Sequence, residues 1–104
     1  MTIEYVSTEK ASELVDSGTS LVLGFKAPWC PQCGPQRGVV ERVSDNHDSK
    51  ITFAYIDLEE NEDAVEKFGV ASLPTILLYK DGTLAERLTG FSSAPKLNNS
   101  VESI

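Results

Sequence analysis

The chain has 104 residues, of which 40% are hydrophobic and 24% charged, with a formal net charge of -7. That length suits one domain, residues 1–104, burying about 65% of its unfolded surface around a single core. The acidic balance makes nucleic acid a poor partner, and no run of about 18 apolar residues exists to cross a bilayer as a helix, so a soluble monomer without a membrane partner is expected.

Along the chain, Met1-Thr2-Ile3-Glu4-Tyr5 has neither the basic nor the apolar part of a secretory signal, which makes the cytoplasm the expected compartment. Ser7 or Thr8 can cap a helix in which Ala11, Leu14 and Val15 recur at spacings of three and four. Thr19 to Ala27 holds the apolar run Leu21-Val22-Leu23-Gly24-Phe25, short and bounded by polar residues, as a buried strand requires. Past the cysteines, Val39, Val40 and Val43 mark a second helix, and Ile51 to Ile56 a second buried strand. The lone His47, in Ser44-Asp45-Asn46-His47-Asp48, reads as a surface residue.

From Asp57 to Glu66 six positions are acidic, namely Asp57, Glu59, Glu60, Glu62, Asp63 and Glu66. They read as a solvated loop and helix start in preference to a docking patch for a basic partner. Ala64, Val65 and Phe68 give a third helix, stopped by Gly69. Thr75 to Tyr79 and Leu84 to Thr89 are strands around Lys80-Asp81-Gly82-Thr83, where Asp-Gly signals a two-residue hairpin loop. Leu97, Val101 and Ile104 suggest a short closing helix. The order is strand, helix, strand, helix, strand, helix, hairpin, helix, with crossovers long enough for parallel pairing in the first part.

The only two cysteines stand three apart in Trp29-Cys30-Pro31-Gln32-Cys33, where a strand gives way to a helix. Two cysteines so close are no disulfide framework of a small secreted domain; in a reducing compartment they bind metal or do catalysis. If Cys30 caps the helix and Pro31 is its first residue, the Cys30 sulfur faces free backbone N–H groups and the positive dipole end. That stabilises a thiolate by about 1 to 2 kcal/mol and moves the thiol from about 8.5 toward neutrality. Cys30 is then the nucleophile, and Cys33, one turn in and more buried, resolves the mixed disulfide. A complete zinc or iron–sulfur site needs about four ligands, and the chain offers two thiols and the distant His47, so the redox reading is preferred and neither metal nor cofactor is expected.

The segment Phe25-Lys26-Ala27-Pro28-Trp29-Cys30-Pro31-Gln32-Cys33 resembles the active-site segment of the thioredoxin family, and Val70-Ala71-Ser72-Leu73-Pro74-Thr75 resembles its second signature. The likeness extends over nearly the whole chain. It implies an α/β thioredoxin fold, a central mixed sheet of about five strands flanked by about four helices. It implies a thiol–disulfide oxidoreductase that reduces protein disulfides and is recharged by a thioredoxin reductase-like enzyme. It further implies that Pro74 is cis and lies beside the disulfide, that Leu73 offers backbone groups to an extended substrate, and that Thr89-Gly90-Phe91 borders the substrate groove. Trp29, Pro31, Gln32, Leu73, Pro74, Gly90 and Phe91 are then the substrate-contacting residues. A glutaredoxin-like or oxidase/isomerase role, and a redox-silent binding subunit, are the alternatives.

The departures from that pattern carry expectations of their own. The family's buried aspartate, six residues before the nucleophile, is matched by Gly24, and the lysine paired with it by Tyr55. Losing both avoids an unpaired buried charge, and leaves the resolving step without its usual proton acceptor, so slower resolution is expected. Pro-Gln between the cysteines, proline first as in glutaredoxins, points to a potential above that of an ordinary thioredoxin, about 30 mV per 1.4 kcal/mol of thiolate stabilisation. Gly34, Pro35 and Gly38 together cost on the order of 5 kcal/mol in helix propensity, so the helix start is expected to be bent or loose.

Overall fold

A computed structural model describes residues 3–47 and 50–104. In chain order the elements are β1 (Glu4–Tyr5), α1 (Thr8–Asp16), β2 (Leu21–Lys26), α2 (Cys33–Asp45), β3 (Thr52–Asp57), α3 (Asp63–Phe68), β4 (Thr75–Lys80), β5 (Thr83–Thr89) and α4 (Ala94–Glu102). The five strands form one mixed sheet in the order β1-β3-β2-β4-β5. β3 runs parallel to β1 and β2, whereas β4 is antiparallel to β2 and β5 to β4. This is the architecture expected, and its opening strand is the two-residue β1, whose side chains are both exposed. Two residues are too few to show an alternating pattern; the burial belongs to the neighbouring Ile3.

Alternation along β2 divides the core into two layers. Leu21, Leu23 and Phe25 face α1 and α3 with Ala11, Ile56, Ala64, Phe68 and Leu77, while Val22 faces α2 and α4 with Val39, Val43, Tyr55, Ile76, Leu97 and Val101. A sheet buried on both faces explains why its strands read as continuous apolar runs. Ser7 caps α1 by accepting the Lys10 N–H at 3.1 Å. Gly69 ends α3 in the left-handed region, with φ 66°. In the hairpin Asp81 and Gly82 take φ 55° and 80°, the pair of positive values that a two-residue type I′ turn needs, and Lys80 pairs with Thr83. The closing helix ends at Glu102, so Ile104 packs on the core from beyond its end. Asp48, of the polar stretch after Ser44, lies outside the described residues, and His47 is half-buried with Nε2 2.9 Å from Asn98 Oδ1 of α4, so it is tied to the fold and not free at the surface. Among the described residues, no helix is long and apolar enough to cross a membrane.

Candidate active site

β2 delivers the chain to the rim of the sheet, and Trp29 to Gln32 carry it across to α2. Cys30 and Cys33 are joined by a disulfide, their Cα atoms 5.4 Å apart. The α-helix begins at Cys33, two residues later than a Cys30 cap requires. Pro35 is the physical reason. It has no N–H to give the Pro31 carbonyl, so the first α-type bond runs from the Gln36 N–H to the Gln32 carbonyl, at 3.0 Å. Ahead of it the Cys33 N–H donates to the Cys30 carbonyl at 3.3 Å, a tighter i to i+3 turn. Cys30 therefore stands at the mouth of this turn, and Pro35 falls in the first turn of α2, where N–H groups have no partner in the helix anyway. The helix gives way by starting late, which takes most of the expected cost out of Pro35.

The two sulfurs have different surroundings. Cys30 is half-buried and lines a cleft of about 600 Å³, whereas Cys33 is 3% exposed, its sulfur 3.9 Å from the Phe25 carbonyl oxygen. A carbonyl oxygen accepts hydrogen bonds and cannot donate one, so in the dithiol form it is a partner for the Cys33 S–H. Trp29, 67% exposed, and Pro31 flank Cys30 in the cleft, and Val65, Val70 and Leu73 face them from α3 and the loop after it.

The remaining residues of the expected site fall around this cleft and not all in it. The Leu73–Pro74 bond is cis and Pro74 is buried at the head of β4. Its carbonyl accepts the Gly90 N–H at 2.9 Å, which ties the loop after β5 to the proline loop. Gln32 is exposed at the N-cap of α2, and Phe91 is 46% exposed beside Gly90, neither forming the cleft wall.

Gln36 is a residue that sequence reasoning missed. It is fully buried, its Nε2 donates to the Ser92 carbonyl at 3.1 Å, and its Oε1 accepts the Ser92 N–H at 2.7 Å. One side-chain amide thus satisfies both backbone groups of a residue that is itself buried. Phe91 is held between two anchors, Gly90 on the proline loop and Ser92 on the cysteine helix.

Behind the disulfide, Tyr55 fills the place that Gly24 leaves open. A Cβ on Gly24 would lie 2.5 Å from the Tyr55 Cζ, so the two residues occupy one space. Tyr55 is 1% exposed, and burial, more than the nearby Tyr5 and Glu41, pushes its phenol well above the usual range, against the opposing pull of Arg37. No carboxylate is therefore built into this pair. Among the described residues no three His, Cys, Asp or Glu side chains are grouped to hold a metal.

The thioredoxin family profile matches residues 2–103. The chain belongs to the thioredoxin family. Its relatives include the thioredoxin of Staphylococcus saprophyticus, 31% identical over 98% of this chain and 97% of that one, and the thioredoxin of Bacillus subtilis, 32% identical over 91% of each. Among solved structures, chloroplastic thioredoxin z superposes with a TM-score of 0.88 at 28% identity, covering 99% of this chain and 94% of that one. With the Cys30–Cys33 disulfide in place, this thioredoxin-family protein is a thiol–disulfide oxidoreductase. The redox-silent and glutaredoxin-like alternatives are not favoured.

Proposed function

We propose that residues 1–104 act as one domain, a cytoplasmic monomer that reduces disulfides of other proteins. The observation that carries this reading is the asymmetry of the sulfurs, one open to a cleft and one shut behind it. The Cys30 thiolate attacks one sulfur of a substrate disulfide, forming a mixed disulfide and expelling the other substrate sulfur as a thiolate. Cys33 then loses its proton and attacks the Cys30 sulfur, closing Cys30–Cys33 and releasing the second substrate sulfur. Two electrons and two protons pass from the cysteine pair to the substrate, and a thioredoxin reductase-like enzyme restores the dithiol.

Trp29, Pro31 and Leu73 contact the substrate in the cleft, Pro74 sets the loop carrying Leu73, and Gln32, Gly90 and Phe91 touch it at the edges. With Gly24 and Tyr55 in place of a carboxylate–lysine pair, the Cys33 proton leaves to water, and resolution is slower than in ordinary thioredoxins. Pro-Gln between the cysteines raises the potential above that of an ordinary thioredoxin.

The assay is reduction of an insulin-type protein disulfide. Cys30→Ser abolishes turnover, and Cys33→Ser permits one attack and leaves a stable mixed disulfide at Cys30. Turnover by Cys30→Ser, or a mixed disulfide on Cys33 in the wild type, contradicts the assignment.

A further inference from the structure

We propose that the cleft selects protein disulfides flanked by lysine or arginine, with Glu62 as its charged wall. The proposal deepens the reading of Cys30 as nucleophile and rests on it. In the sequence the acidic run from Asp57 to Glu66 reads as an ordinary solvated surface; the fold brings one acid of it, Glu62, into the cleft that holds the reactive sulfur. The run spans the end of β3, the loop after it and most of α3, and Glu62, the residue just before α3, lines the same cleft as Trp29 and Cys30. Glu62 is the one charged side chain of that lining, which otherwise consists of apolar residues, Cys30 and Ser72.

Two acids of the run are occupied within the fold. Asp57 lies 3.8 Å from the Lys26 ammonium, and Asp63 accepts the Thr8 hydroxyl at 2.7 Å. Glu59, Glu60, Glu62 and Glu66 are exposed, and among the described residues none of them is in an ion pair. Glu62 alone of these stands in the cleft wall, and an unpaired carboxylate there repels the negative charge of the exchanging sulfurs. An incoming cation removes that repulsion and is itself drawn in, so the same wall favours basic partners and repels acidic ones. The apolar lining from Leu58, Val65 and Val70 takes the aliphatic stem of the same lysine or arginine. The electron and proton balance of the exchange is unchanged; only the encounter and the mixed-disulfide complex depend on the flanking charge.

The test uses the full chain, reduced, and three disulfide peptides identical except for lysine, glutamine or glutamate beside the reacting cysteine. Rates should rank lysine, glutamine, glutamate, spanning about tenfold at low salt and converging at about 0.5 M salt. Glu62→Lys should reverse or flatten the ranking. Glu102→Lys, which changes net charge equally on α4 at the opposite face of the sheet, should preserve it. Equal rates for the three peptides, or equal effects of the two substitutions, overturn the proposal while leaving the oxidoreductase reading intact. Failure of all three peptides to react overturns that reading as well.

Discussion

At the scale of single residues, the exchange of a buried charged pair for glycine and tyrosine sets this chain apart from the family pattern. The sequence shows both departures, and the loss of both charges together already suggests replacement as a unit; only the coordinates show that the Tyr55 ring stands where a residue-24 side chain would go. The raised phenol pKa has a consequence for stability. An unfolded tyrosine ionises near pH 10, whereas buried Tyr55 keeps its proton to higher pH. Below pH 10 both states are protonated and the group adds no pH dependence. Above it the unfolded state binds fewer protons, so stability falls by about 1.4 kcal/mol per pH unit until the folded phenol titrates. Denaturant unfolding between about pH 10 and about pH 11.5 should show that slope in the wild type and a shallower one in Tyr55→Phe. Identical slopes contradict the assignment.

At the scale of elements, the long strands and helices are legible in the sequence because each carries a pattern of its own. The apolar runs of β2, β3 and β4 mark strands buried on both faces, and Asp81-Gly82 fixes the hairpin register. The start of α2 is legible less well. The proline penalty is visible, but whether a helix bends or starts later depends on which N–H groups already lack partners. Gln36 is not legible at all, since a glutamine between Pro35 and Arg37 near a helix start reads as surface and its partner is a backbone 56 residues away. Gln36→Leu leaves the buried Ser92 N–H and carbonyl without partners, and should cost about 2 to 4 kcal/mol. Amide exchange at Ser92 should accelerate with it. A loss below about 0.5 kcal/mol, the range of an ordinary surface change, contradicts the anchoring role.

At the scale of the whole molecule, the sheet order β1-β3-β2-β4-β5 places β2 at the centre and aims its end, and hence the cysteines, at the sheet's rim. The composition shows the acidic surplus but not where it lies; only the packing of α3 across from Trp29 makes Glu62 part of the cleft. What unites fold and chemistry in the proposed reading is that Cys30 opens to the cleft as the attacking sulfur while Cys33 is shut behind it. The direct measurement is alkylation of the reduced protein as a function of pH, with the modified residue identified by mass spectrometry. The account predicts modification at Cys30 first, with a midpoint below the value of about 8.5 for a free thiol. A midpoint at or above that of free cysteine, or first modification at Cys33, contradicts it.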